Sequence, residues 1–456
     1  MKKDKIKQAI GLMVTTAMVL SGCGAGTQTA AETQQSSAAA SAAAETVQES
    51  SAVQTEVAEN AEESGAETVT IENGKTKLAA YLPLTGNSMQ FGLSLQKGME
   101  LAVKHWNEDN GGINGEPVTI DFFDDKGDTT ECVNVANLIV ADKDEYIAAM
   151  GSFSSACAMA AAPIYEENEL LMFSPTGSHP DFCKLGDYIY AIAMTGKYEH
   201  MLYAKIATDE LEGKNVGFIA AQSDTTDLGI AMLEAKCEQT GANLYTELFV
   251  EGTTKDFTPV ISALFNGRDL DVLLISGTYS TAASIVLQME SLGLKSDDLK
   301  ILCTGSCAME EFVDILGESG EGIYVVTSSP VYFTSVLDSM DVTPTLERFI
   351  NDYSADYNEM ADSFAGQAYD TVMAVLNCCK EYQTTDSAVL KDHVGELVGL
   401  DEPVSGSSLE FDMELRQMVK PMAMYQIEDG EFVIFKSGST SLTQEERDMA
   451  TEIAGY

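Results

Sequence analysis

From about residue 76 onward, short apolar runs alternate with amphipathic stretches. TKLAAYLPLT, VTIDFFDD, YIAAMGS, LLMFSP, YIYAIAM, NVGFIAA, NLYTELFV, DVLLISGT, KILCTGS and GIYVVTS are each rich in apolar residues and most end in small or turn-forming residues. Runs of that length and character predict strands. Between most of them lie one to two dozen residues with helical spacing. Over 93–107, for example, Leu95, Met99, Ala102 and Trp106 fall on one stripe, and NGGINGEP then predicts a turn. Near-continuous apolar strands alternating with helices predict parallel sheets covered on both faces. The strands are too many for one compact sheet, so the expected fold class is α/β with two doubly wound lobes. Toward the C-terminus the pattern predicts helices over 344–357, 364–382 and 387–398. It closes with two strands, MAMYQIE and EFVIF, joined by Asp429-Gly430, a hairpin signal. No repeat is visible beyond the βα rhythm.

The first residues depart from this pattern. Lys2, Lys3, Lys5 and Lys7 precede the apolar run AIGLMVTTAMVL, which is short for a membrane span and ends at small residues. Leu20-Ser21-Gly22-Cys23 resembles the bacterial lipobox, which implies lipidation of Cys23 and an export signal over 1–22. From Gly24 to about Val69 the chain is mostly Ala, Ser, Thr, Gln and Glu, with no Lys or Arg between Lys7 and Lys75. Such a stretch cannot bury enough surface to offset chain entropy, so 23–74 is expected to be a disordered tether and the folded body to begin near Thr76.

Charge and chemistry narrow the function. The formal net charge is −46, and the Lys/Arg clusters that neutralise phosphates are missing, which argues against a nucleic-acid partner. Cysteines other than Cys23 stand at 132, 157, 183, 237, 303, 307, 378 and 379, with no CxxC pair. They are expected to be buried small hydrophobes, with room for one disulfide, and no metal or other cofactor is expected. There is no GxSxG, no P-loop motif and no GxGxxG after the first strand. Of His105, His179, His200 and His393, only His179 falls in a strand-end loop. No catalytic residue is therefore assigned.

In open α/β sheets, ligands bind beyond the carboxyl ends of strands, at helix N-termini. The loops there are LTGNSMQFG (84–92), GSFSSA (151–156), SPTGSHP (174–180), AAQSDTTDLG (220–229), SGTYSTA (276–282) and TGSCAM (304–309). They supply hydroxyls, amides and aromatic rings, suited to a small polar molecule. A helix is expected to start at Ser155, as its N-cap or as a carboxylate-binding hydroxyl. Thr176 and Ser178 supply a second hydroxyl pair.

PLTGNSMQFGLSLQKGMELAVKHWNEDNGGINGEPVTIDFFDD, GSFSSACAMAAAPIYEENELLMFSP, TKDFTPVISAL, ESLGL, EGIYV and AYDTVMAVL follow in order. Together they resemble the type I periplasmic binding proteins of the branched-chain amino-acid class, the receptors of ABC importers. The resemblance implies two Rossmann-like lobes joined by three crossover strands around a ligand cleft. It places lobe I at 75–194 plus 329–398 and lobe II at 195–328 plus 399–456. It implies that Ser155 holds a ligand carboxylate, that Thr176 and Ser178 contact the ammonium and carboxylate, and that Phe91, Tyr279 and Phe364 line the cleft. Partners would be permease subunits and, through Cys23, the outer face of the membrane. The chain departs from the class at three places: Ser306 and Cys307 stand where the acid facing the ligand ammonium is usual, Leu228 replaces the aromatic before Gly229, and Ala191 replaces an arginine. Asp224 or Asp227 are then the candidate acids, unless they cap a helix beginning near Leu228. The ligand would be an amino acid, or else a related amide, urea or carboxylate. Other readings are a ligand sensor for a membrane signalling partner and a hydrolase of the same architecture.

Overall fold

A computed structural model describes residues 68–328, 342–406, 409–412, 414–435 and 440–455. Cys23, the expected signal and most of the expected tether lie outside the described residues. The chain is already packed ahead of Thr76. Val69 and Ile71 are buried, Val69 bridges Ile113, and both belong to the core of the first sheet. The reason is local: these are the first large apolar residues in a row after the Ala/Ser/Glu-rich stretch, and burying each stabilises by roughly 1.5–3 kcal/mol.

The first half runs β1 (Lys77–Leu82), α1 (Met89–Asn110), β2 (Thr119–Asp124), α2 (Thr129–Ala141), β3 (Tyr146–Gly151), α3 (Ser155–Glu167), β4 (Met172–Ser174) and β5 (Ile189–Ala191). These strands form one parallel sheet in the order β2-β1-β3-β4-β5. Then follow α4 (Gly196–Lys205), β6 (Asn215–Ala221), α5 (Asp224–Thr240), β7 (Asn243–Phe249), α6 (Thr258–Phe265), β8 (Val272–Ser276), α7 (Tyr279–Ser291), β9 (Lys300–Cys303), α8 (Glu310–Leu316) and β10 (Tyr324–Thr327). The C-terminal part holds α9 (Pro344–Tyr357), α10 (Ser363–Tyr382), α11 (Ser387–His393), β11 (Glu410–Asp412), β12 (Gln417–Val419), β13 (Ala423–Glu428), β14 (Glu431–Ile434) and α12 (Gln444–Ala454). The second sheet is β14-β13-β10-β9-β8-β6-β7, with parallel pairing throughout except that β13 runs antiparallel to both β10 and β14. β13 and β14 meet in the expected hairpin, with Asp429 and Gly430 both at positive φ, as a primed two-residue turn requires.

Period-two alternation divides each sheet between two cores. In β1, Leu78, Ala80 and Leu82 face one apolar cluster while Ala79 and Tyr81 face the other. In the second sheet, Ile219, Leu273 and Ile301 lie on one side, and Val216, Phe218 and Leu274 on the other. The predicted α/β class with parallel sheets is therefore the observed one. α9 and α10 return to the first sheet's core, where Phe349, Tyr353 and Tyr369 pack with Leu95, Met99 and Trp106 of α1. α1 and α10 approach so closely that a Cβ on Gly98 would lie 2.1 Å from the Ala365 carbonyl oxygen. Segments 191–195 and 416–418, which connect the two sheets, run side by side through Ala191 N–Arg416 O, Met418 N–Ala193 O and Thr195 N–Met418 O bonds. All eight described cysteines are buried and free.

Candidate functional site

The ends of both sheets open on one cavity of about 360 Å³. Its first-sheet wall is made by Phe91, Phe153, Ser154, Ser155, Thr176 and Ser178, with Ser363, Phe364 and Gln367 from α10. Its other wall is made by Glu199, His200 and Tyr203 of α4, together with the loops after β6, β8, β9 and β10.

Glycine opens the central loop. Gly151 at the end of β3 has φ 143°, and a Cβ there would lie 2.1 Å from the Tyr81 carbonyl oxygen, so only glycine permits this approach. Ser152 then turns inward and donates to buried Asp125 at 2.5 Å. Asp125 also accepts the Gly127 amide at 2.8 Å, although burial still pushes its carboxyl above the usual range. The N-cap of α3 is Ser154, one residue before the expected cap. Its hydroxyl accepts the Cys157 amide at 3.2 Å, because its extended backbone aims the side chain at the first turn. That frees Ser155, the first helical residue, for other work. The Ser155 hydroxyl oxygen accepts the amides of Ser178 and His179 at 3.2 and 3.3 Å. Both lone pairs are thus engaged, and the proton remains as a donor on a residue that lines the cavity. The Thr176 hydroxyl does the converse, donating to the carbonyls of Phe153 and Ser152 at 2.8 and 3.1 Å and leaving an acceptor.

Phe91 and Phe153 stack at 4.4 Å between centroids, and Phe364 meets both edge-on, at 5.2 and 5.7 Å. Tyr279, first residue of α7, is not among the lining residues but packs its ring edge-on against Phe91 at 6.0 Å. The structure thus brings Ser155, Thr176, Ser178, Phe91 and Phe364 to one cavity and sets Tyr279 just behind it. The other candidates fare differently. Asp227 is exposed and outside the lining, and α5 begins at Asp224 rather than near Leu228, so Asp227 lies a turn into the helix. The side chain of Asp224 is outside the described residues. Ser306 lines the cavity and donates to the Gly277 carbonyl at 2.5 Å.

Several lining residues escaped the sequence reading, Phe153, Glu199, His200 and Tyr203 among them. Phe153 sits inside GSFSSA, where the serines alone were singled out by number. Glu199 and His200 lie in TGKYEHM, a helix that follows a crossing segment, so no strand-end signal marks them. The Tyr203 hydroxyl donates to Glu199 Oε1 at 2.9 Å and accepts the Gly305 amide at 3.2 Å. Burial pushes the Glu199 carboxyl up and the His200 imidazole down to about 4, so His200 is neutral near pH 7. Among the described residues, no group of three or more His, Cys, Asp or Glu could hold a metal ion, and no helix is long and apolar enough to cross a membrane.

Comparison with known proteins gives the same picture. The chain is 28% identical over 255 residues to Leu/Ile/Val-binding protein homolog 1 of Brucella suis, an alignment covering 53% of this chain and 63% of that protein. It is 26% identical over 253 residues to the leucine-specific-binding protein of Salmonella typhimurium, covering 55% and 66%. The aligned part is thus under two thirds of the length of these relatives. Its fold matches the leucine-binding protein LivK of Thermotoga maritima, with TM-score 0.69, 22% identity and 80% and 99% of the two chains covered. It also matches LivJ of Streptococcus pneumoniae in complex with isoleucine, with TM-score 0.69, 24% identity and 81% and 99% covered. A solute-binding protein of Rhodopseudomonas palustris in complex with p-hydroxybenzoic acid matches with TM-score 0.68 and 17% identity, with 82% and 97% covered. The family profile described as periplasmic binding protein matches residues 75–431, and with two parallel sheets meeting at one polar and aromatic cavity, the chain belongs to the periplasmic binding protein family.

Proposed function

We propose that this chain is the extracytoplasmic solute receptor of an ABC importer, tethered by a lipid on Cys23, and that it captures an amino acid or similar small solute in the cavity between its sheets. The observation that carries this reading is the pairing of two unlike surfaces in one cavity. A helix N-terminus with the Ser155 hydroxyl offers donors and positive potential to a carboxylate. The Phe91, Phe153 and Phe364 rings offer an apolar wall to a branched or aromatic side chain. Family membership and the names of the relatives, several of them Leu/Ile/Val-binding proteins, support the same class of ligand. Family membership and the binding-protein names of the relatives favour capture and release without turnover. The lobes would close on the solute through contacts made only in the closed state.

A second reading has one observation in its favour. Stacked phenylalanines suit a flat ring, and structural neighbours are known with benzoic-acid ligands, so an aromatic carboxylate would fill the same cavity without needing an ammonium partner.

The test is thermal melting of protein unfolded and refolded to strip carried ligand, against amino acids, their amides and short carboxylates. A ligand that binds only the folded state adds about 2.7 kcal/mol at a hundredfold excess over Kd. A clear rise in melting temperature with a branched-chain or aromatic solute, unchanged in amount after incubation, is the expected result. Cooperative melting that no such solute shifts would overturn the receptor reading.

A further inference from the structure

The cavity contains an uncompensated acid. Among its described lining residues Glu199 is the acidic one, and lysine and arginine are missing from them. Its neighbour His200 is held neutral by burial. Two other carboxylates near the strand ends are already satisfied within the fold. Glu251 accepts from the Thr278 amide and the Thr278 and Thr281 hydroxyls, and Asp125 accepts from Ser152 and Gly127. Glu199 has one bond in hand, from the Tyr203 hydroxyl at 2.9 Å, and Tyr203 is in turn held by the Gly305 amide. That chain orients the carboxylate without neutralising it. A half-buried carboxylate with no cation beside it is disfavoured, and its partial burial accordingly pushes its pKa up. A cationic ligand would reverse that penalty.

Its placement relative to Ser155 is set by backbone bonds. The Ser178 amide donates to the Ser155 hydroxyl oxygen, and the Ser178 carbonyl accepts the Gly196 amide at 2.6 Å. Gly196 opens α4, and Glu199 follows within its first turn. The donor end of α3 and the acid of α4 are therefore held by one short relay, Ser155–Ser178–Gly196, in the same cavity. Thr176 adds an acceptor, since its hydroxyl proton is committed to the Ser152 and Phe153 carbonyls.

We infer that Glu199 is the ammonium-binding group of this receptor, so that its ligand is a zwitterion: carboxylate at Ser155 and the start of α3, ammonium at Glu199 with Thr176, and an apolar or aromatic side chain against Phe91, Phe153 and Phe364. This rests on the receptor reading above. It takes over the role for which Asp224 and Asp227 were considered, and it distinguishes an α-amino acid from the aromatic carboxylate of the second reading.

The test is calorimetric titration of the refolded full chain with leucine and phenylalanine, and with 4-methylpentanoate and 3-phenylpropanoate, which keep carboxylate and side chain but lack the ammonium. Wild type, Glu199→Gln and Glu199→Asp are compared, with melting curves checking that each variant folds. The expected result is that wild type prefers the amino acid, that Glu199→Gln weakens amino-acid binding about 10- to 100-fold, that the desamino acids change little, and that Glu199→Asp restores part of the preference. If Glu199→Gln weakens both classes equally, or neither, Glu199 does not read the ammonium and the inference falls while the receptor reading stands. The same holds if wild type itself prefers the desamino acids. If wild type binds none of the four, this inference falls, and the receptor reading is decided by the wider melting screen above.

Discussion

A serine hydroxyl has one proton and two lone pairs, and at Ser155 the fold consumes both lone pairs on the amides of Ser178 and His179. What remains is a donor whose orientation is imposed by its surroundings. Ser155→Ala should weaken ligand binding by roughly 1.5–3 kcal/mol, the scale of a hydrogen bond to a charged group, measured by titration calorimetry. Undiminished affinity in a variant that still folds would remove Ser155 from the site. Ser155, Thr176 and Ser178 were legible in the sequence because strand-end loops announce themselves by apolar runs that break into Ser, Thr and Gly, whereas Phe91 and Phe364 were named only through the family resemblance, Phe364 lying in helix α10 rather than at a strand end. Which of Ser154 and Ser155 caps the helix was not legible. Both are good caps, and the choice depends on the extended backbone at Ser154, which only the folded loop fixes. Glu199 was invisible for another reason: its neighbours in sequence form an ordinary helix turn, and only the crossing of two distant segments puts it at the cavity.

At the scale of elements, the last helix shows how a highly acidic chain spends its few cations. α12 opens with a capping box in which Thr443 and Glu446 serve each other's backbone amides. Buried Glu446 also meets Lys205 at 2.8 Å and Lys236 at 3.1 Å, tying α12 to α4 and α5, while Lys236 reaches Asp209 at 2.7 Å. Burial works to raise the Glu446 carboxyl, but the Lys205 bond, the Thr443 amide and Lys236 outweigh it and bring its pKa from 4.5 down to about 2. A depressed carboxyl contributes stability that is complete above its unfolded value, near 4.5, and is lost as pH falls toward 2. Glu446→Gln should therefore cost on the order of 2–4 kcal/mol at pH 7. In urea titrations the gap between variant and wild type should shrink as pH drops from 4.5 to 2. A gap that did not change with pH would mean the loss comes from the cap rather than the charge.

At the scale of the whole molecule, helices packed on the two sheets touch each other. The Gln90 side-chain amide of α1 donates to Glu311 Oε1 of α8 at 2.7 Å, one residue from where Phe91 meets Tyr279. If binding is coupled to closure, such contacts set how much of the population is closed before ligand arrives. Gln90→Ala removes an exposed neutral–charged bond, so ligand affinity should fall by roughly two- to tenfold with the order of preference among ligands unchanged. A change in that order would place Gln90 in the recognition surface instead.

Apolar periodicity alone was enough to determine the class of this fold, because a strand buried on both faces and a helix with one apolar stripe have different periods wherever they occur. Leu78 to Leu82 and the 95, 99, 102, 106 stripe say as much before any coordinate is known. The strand-end loops followed from the same rhythm, and with them the hydroxyls of Ser155, Thr176 and Ser178. The tertiary structure decided what periodicity cannot carry: that Val69 and Ile71 join the core, that α9 and α10 return to the first sheet, and that Glu199 shares a cavity with Ser155. Each depends on contacts between residues far apart in the chain, whose approach is set by packing and by a few backbone bonds rather than by any neighbour in sequence.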